Sequence, residues 1–351
     1  MNDTLAFGLH TFGDVTRDAD GALKSHGRVL RDVLAEGELA DRVNLDFFGV
    51  GEHHRDDFAI SAPEVILAAV AARTTRIRLG SAVTVLSSDD PVRVYQRFAT
   101  LDGLSGGRAE AIMGRGSFTE SFPLFGLPLE AYSVLFEEKL DLYVKLLAEG
   151  EVTWSGRTRA PLERQRVYPT TDSAPMRTWV GVGGSPESVV RAARHGLPLM
   201  LAIIGGAPSR FAHYVSLYHE RVDAEGRARL PVGVHSPGHV ADTDAGAREQ
   251  LWPAYEAMIN RIGRERGWAP IGRDQFEHEI ARGSLYVGSP ETVARKVAAT
   301  ARTLGLARFD LKYSHGTLPH EAMCRSIELL GTRVAPMVHE LLAATREPAA
   351  V

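Results

Sequence analysis

The chain's 351 residues, 44% hydrophobic and 24% charged, suffice for a large folded core and exclude a disordered polymer. A formal net charge of -4 leaves no cationic excess for a polyphosphate backbone, so nucleic acid is not an expected partner. The single cysteine, Cys324, excludes an internal disulfide framework and a thiolate metal cluster.

Met1 to Gly13 lacks the basic cluster and apolar run of a secretory leader, and no stretch approaches the ~20 apolar residues of a membrane span. The expectation is a cytoplasmic protein that does not enter membranes. Short apolar or β-branched runs then alternate with helical patterns along the whole chain, the pattern of repeated βα units on a parallel sheet. The predicted strands are Leu5 to Thr11, Asp46 to Val50, Ile77 to Ala82, Ala109 to Met113, Thr178 to Val182, Pro198 to Ala202, Pro231 to His235 and Arg308 to Tyr313. Eight such strands in a chain somewhat longer than the usual ~250 residues favour an α/β fold, a single (β/α)8 TIM barrel with insertions, over a doubly wound sheet.

One domain, residues 1–351, is therefore expected, with insertions near 150–177 and 264–284. The first carries Gly156, Pro161, Pro169 and Pro175, punctuation that suits a hairpin or irregular loop. The helix from Pro63 to Arg73 is apolar on nearly every side, so it needs a second burial surface, either a partner subunit or a loop of its own chain.

In such barrels the chemistry sits where the strands end, which singles out four places. After the second strand, Gly51-Glu52-His53-His54-Arg55 puts an acid, two imidazoles and a guanidinium on one loop. A histidine there suits proton transfer and equally suits a hydrogen-bonded scaffold. Adjacent side chains of an extended segment face opposite ways, so one histidine is expected to be structural.

The third strand runs through Gly80-Ser81-Ala82-Val83-Thr84, small residues that let a flat ring approach the backbone or simply pack. After the fourth, Met113-Gly114-Arg115-Gly116-Ser117 presents an unhindered guanidinium, fit for a phosphate or carboxylate or for an exposed turn. After the fifth, Gly183-Gly184-Ser185-Pro186-Glu187-Ser188 offers free N–H groups at a helix start, a cradle for phosphate without the Gly-x-Gly-x-x-Gly spacing of a dinucleotide fold or the lysine of a P-loop. One arginine and one helix end suit a single phosphate monoester, such as that of FMN, better than a pyrophosphate.

In this order, Glu52-His53-His54, Gly80 to Val92, Leu101 to Arg108, Gly114-Arg115-Gly116 and Val287 to Val293 resemble the bacterial luciferase-like flavin monooxygenases, over Phe7 to Val338. The resemblance implies an FMN-dependent monooxygenase that uses reduced flavin and dioxygen to oxygenate a small organic substrate. It further implies a separate NAD(P)H flavin reductase, in keeping with the lack of a second nucleotide-binding motif; a homodimer is the expected assembly.

The resemblance also assigns residues. His53 is implied as catalytic, with Glu52 and His54 beside it. Ala82, Val83 and Thr84 are implied beneath the flavin, with the Ala82-Val83 peptide cis. Arg115, Gly183, Gly184, Ser185 and Ser188 are implied at its phosphate. Three alternatives stand beside this reading. They are a deazaflavin-dependent dehydrogenase on the same fold, a metal-dependent hydrolase drawing on His10, His53, His54, His235 and His239, and a flavin-binding protein without turnover. The expected site holds no metal.

Overall fold

The computed structural model describes residues 4–18, 20–116, 118–173 and 175–344; Ser117 lies outside the described residues. Among them, eight parallel strands close on themselves: β1 (Ala6–Thr11), β2 (Phe47–Val50), β3 (Arg78–Ser81), β4 (Ala109–Gly114), β5 (Arg177–Val182), β6 (Leu199–Ala202), β7 (Val232–Val240) and β8 (Arg308–Lys312). Each pairs with its neighbour in chain order, and β8 returns to β1 through Ala6 opposite Arg308 and His10 opposite Lys312. The fold is the expected α/β TIM barrel, and every predicted strand is present with its ends moved by a residue or so, except β7.

That strand continues past His235 to Val240, because its second half pairs with a short strand, Tyr286–Gly288. Three residues are too few to show alternation in sequence, so neither feature was legible there. Residues 150–177 contain an antiparallel hairpin, Val152–Trp154 with Leu162–Gln165. Residues 264–284 hold the end of the helix Asp244–Arg266, its stop at Gly267 with φ 71°, and a further helix, Arg273–Ala281.

Local chemistry sets the helix ends. The helix Pro91–Ser105 starts on Asp90, whose carboxylate accepts from Val92 N at 2.9 Å, and stops where Gly106 takes φ 66°. The helix Pro63–Ala71 buries Leu67 and Val70 against the barrel while Val65 stays 68% exposed among the described residues. No described helix is long and apolar enough to cross a membrane.

Inside the barrel, Phe47, Ile112, Trp179 and Met200 form an apolar layer around one charged side chain, Arg308, which is 1% exposed. Its guanidinium lies 3.6 Å from the Phe47 ring centroid. It donates to both oxygens of Asp310, at 2.7 Å from Nε and 2.6 Å from Nη2, and to Glu110 Oε1 through Nη1. Burial alone would raise the Asp310 carboxyl, but Arg308 and His10 reverse this and hold it below the ordinary carboxylate range.

Removing one partner of such a cluster strands buried charge. We expect Arg308→Met, which leaves Asp310 with His10 alone and Glu110 with only the 3.6 Å contact to Arg78, to cost about 3–5 kcal/mol in urea unfolding. A wild-type unfolding midpoint would show that the cluster is not held as described.

Candidate active site

The loop after β2 is fixed from below by its acid. Glu52 Oε1 accepts from Val85 N at 2.8 Å, tying the loop to the segment that follows β3. The two histidines then part. His53 packs among Phe12, Phe58 and Phe118, with ring centroids 4.4, 4.7 and 4.7 Å away. Burial pushes the His53 imidazole down to about 3; Asp14 opposes this, and the cations Lys312 and Arg55 add to it, so the ring is neutral at neutral pH. His54 turns to Phe125, 5.2 Å between centroids, and holds Nε2 3.3 Å from Glu52 Oε2 without hydrogen-bond geometry.

The Ala82–Val83 peptide is cis. Around it the barrel mouth is floored by glycine: a Cβ on Gly114 would meet Val83 Cγ2 at 2.5 Å, and one on Gly49 would meet Ala82 Cβ at 2.9 Å. Glycine at these two positions lets the neighbouring strands close directly on Val83 and Ala82, where any side chain would clash. Thr84 is buried, and its Oγ1 has no partner.

On the next two strands, the register that sets Met113 opposite Val180 carries Arg115 and Gly183 to neighbouring strand ends. Arg115 lies 5.0 Å over the Tyr132 ring, and no carboxylate among the described residues forms an ion pair with it. Its charge nevertheless reaches the first turn of the helix Pro186–Arg194, where Ser185, Arg115 and Arg191 all help to hold the exposed Glu187 carboxyl low, the Ser185 hydrogen bond contributing most. A Cβ on Gly183 would meet nothing within 4 Å, and Gly184 takes φ 114°, its carbonyl accepting from Tyr214 Oη at 2.6 Å. Ser185 caps the helix through Ser188 N. Ser188 is buried, and its Oγ accepts from Arg191 Nη1 at 3.2 Å, which leaves its hydroxyl engaged within the protein.

A small cavity of about 10 Å³ lies over the loop, lined by Glu52, His53, His54, Val85, Phe118 and Glu120 among others. Arg55 closes its outer edge. It donates to Glu120 Oε1 at 2.7 Å and grips Glu265 through two bonds of 2.6 and 2.7 Å, joining the loop after β4 to the end of the helix Asp244–Arg266. The sequence leaves Phe12, Phe58, Tyr132 and Tyr214 unassigned, since aromatic residues on loops carry no periodicity that would mark them, whereas the loop from Phe118 is expected to line a substrate pocket. The scattered histidines of the metal reading do not assemble: among the described residues no three His, Cys, Asp or Glu side chains are grouped to hold a metal.

Comparison with known proteins bears on this arrangement. A family model described as luciferase-like monooxygenase matches residues 10–308. The 4-hydroxyprotoasukamycin monooxygenase of Streptomyces nodosus subsp. asukaensis is 28% identical over 86% of this chain and 85% of its own length. An uncharacterized protein of Sinorhizobium fredii is 30% identical over 55% of this chain, and the match spans only 54% of that relative. A monooxygenase of Streptomyces bottropensis superposes with a TM-score of 0.83 at 25% identity, over 95% of this chain and 99% of the other.

Two further solved structures are alike in fold. The oxygenating constituent of 3,6-diketocamphane monooxygenase of Pseudomonas putida, in complex with FMN, gives a TM-score of 0.79 at 18% identity, over 95% of this chain and 99% of the other. The coenzyme F420-dependent tetrahydromethanopterin reductase of Methanopyrus kandleri gives 0.72 at 18%, again over 95% and 99%.

The burial of His53 has a consequence for stability. The unfolded chain takes up this proton near 6.5 and the folded ring only near 3, so the stability it contributes is complete above pH 6.5 and is lost as the pH falls toward 3. We expect the urea unfolding free energy to drop between pH 6.5 and about pH 5, and His53→Phe to remove up to about 1.4 kcal/mol per pH unit of that slope. An unchanged slope in the variant would show the ring to be protonated in the folded chain.

Proposed function

The chain belongs to the luciferase-like monooxygenase family, and from that premise we propose that it binds reduced FMN at the barrel mouth and uses dioxygen to oxygenate a small organic substrate. The observation that carries this reading is Arg115, a cation without a carboxylate partner beside a glycine turn and a capped helix start. That pairing suits one phosphate monoester. Arg115 and the N–H groups of Gly183 and Gly184 would hold the phosphate, with Ser185 and Ser188 shaping the turn. Ala82, Val83 and Thr84 would lie against the ring system over the glycine floor.

When bound, reduced flavin with dioxygen would supply the oxidising equivalent that places one oxygen atom on the substrate. The chain's own residues do the rest. Phe118 and the Arg55 clamp sit over His53 and would narrow the access of water to it. His53 enters the reaction neutral and can accept a proton at the mouth, which is its catalytic role in this reading. Glu52 holds the strand end on which the flavin would rest, and His54 supports Glu52.

Reduced flavin would come from a separate NAD(P)H reductase, and the uncovered Val65 face would pair in a homodimer. The second reading, a deazaflavin-dependent dehydrogenase, draws on the fold shared with the Methanopyrus kandleri reductase.

The direct test supplies FMN, a flavin reductase, NADH and oxygen-18 gas with a panel of aldehydes, ketones and phenols. We expect a product bearing one labelled oxygen; no labelled product with FMN, but hydride transfer with a deazaflavin, would favour the second reading. Arg115→Ala should weaken FMN binding about ten- to a hundred-fold, from the ~1.5–3 kcal/mol of a charged hydrogen bond. Unchanged affinity in a fluorescence titration would remove Arg115 from the phosphate site. His53→Ala should lower turnover about 10²–10⁴-fold with FMN affinity kept, and wild-type kinetics would contradict its assignment.

A further inference from the structure

On the same side of the mouth as the Glu52 loop, two other histidines meet. His10 is the last inward-facing residue of β1, and His235 lies on β7 level with Ala202, where β6 ends. Their rings stack at 4.5 Å and 29°, with the two Nδ1 atoms 2.5 Å apart. On its other side, His10 Nε2 stands 2.8 Å from Asp310 Oδ2, the carboxylate that Arg308 holds. The pair adjoins the flavin floor: a Cβ on Gly49 would lie 2.9 Å from His10 Cδ2 and 2.9 Å from Ala82 Cβ.

Hydrogen-bond accounting restricts what these rings can carry. Two nitrogens at this separation share one proton, since two N–H groups would repel. Asp310 is ionised and accepts, so His10 Nε2 carries a proton. Of the two ways to share that proton, the one that leaves both rings uncharged has His235 Nδ1–H donating to a bare His10 Nδ1, with His235 Nε2 a free lone pair. Nε2 has no protein partner among the described residues, and His235 is half-buried, level with the end of β6. Burial pushes His235 well below its ordinary value, and the cation Lys312 acts the same way against Asp310, so the ring is neutral.

We propose that His235 is a base of the active site that takes a proton from an acidic O–H or C–H of the substrate, such as a phenol, an enol or a carbon acid beside a carbonyl. His10 and Asp310 are positioning residues that fix its tautomer and receive the charge. The proton balance closes within the three side chains. As the substrate proton arrives at His235 Nε2, the proton on its Nδ1 passes to His10 Nδ1. His235 stays neutral, His10 becomes an imidazolium against the Asp310 carboxylate, and the substrate is left as an anion. What that anion then meets rests on the flavin reading; the transfer itself does not, and it is tested without flavin.

The test is ¹⁵N-histidine NMR on the full chain near neutral pH, with resonances assigned by their loss in His10→Gln and His235→Gln. We expect His235 to be protonated at Nδ1 and bare at Nε2, and His10 to be protonated at Nε2. His10→Gln, which takes the imidazole acceptor away, should move His235 toward the Nε2–H form. Asp310→Asn should also shift the His10 tautomer, but it unpairs Arg308 and can fail to fold, so His10→Gln is the deciding variant.

A His235 protonated at Nε2 in the unaltered chain, or a tautomer indifferent to His10→Gln, overturns the proposal. With p-nitrophenol as probe, absorbance should report a bound ionised fraction at least tenfold greater for the unaltered chain than for His235→Gln. No excess of the ionised form over the variant overturns it equally. Failure of the flavin reading would appear separately, as an absence of FMN binding.

Discussion

An arginine sealed in the centre of the barrel is the constraint on which the rest of the molecule depends. A guanidinium cannot shed its charge by losing a proton, so Arg308 has to find anions wherever the chain buries it. Asp310 on its own strand and Glu110 on β4 supply them, and the Phe47 face completes the shell. A buried ion cluster of this kind is weak evidence for net stability, because apolar residues of equal volume often serve as well. Its structural consequence is orientation: an ionised Asp310 fixes the ring of His10, and His10 lies against Gly49 and the Ala82 edge of the floor.

Above that layer the mouth divides by chemistry. One side is cationic and rich in glycine, with Arg115, Gly183 and Gly184 beside a helix start. In the middle, glycine at positions 49 and 114 lets the strands pack directly against Ala82 and Val83. The far side carries neutral imidazoles, His53 among aromatic rings and His235 backed by His10. An arginine beside a glycine turn, the close-packed Ala82–Val83 segment and neutral imidazoles thus follow one another around one rim. The Arg55 clamp shuts the outer edge by drawing together loops that are far apart in sequence.

Much of this was legible in the chain. The eight strands announced themselves as apolar runs, and the rule that chemistry follows each strand end led directly to Glu52, His53, Ala82, Arg115 and Gly183. What escaped was set by tertiary contact. His10 and His235 stood out only as scattered candidate ligands, since nothing local tells that β1 and β7 bring their rings together. The engagement of Ser188 with Arg191 depends on how the helix turns, and the extension of β7 depends on a three-residue partner strand. The signal that does connect His10 with His235 is their shared place near the mouth ends of inward-facing strand positions, which shows only when the eight strands are taken as one ring.

The central claim is that the rim grips a phosphate monoester attached to a ring system resting on the glycine floor. Calorimetric titration with FMN and, in parallel, with riboflavin measures that grip by itself, because the two ligands share the ring and differ in the phosphate. The account requires FMN to bind at least about tenfold more tightly, the lower end expected for a charged contact. Equal affinity for the two, or no heat with either, would contradict it.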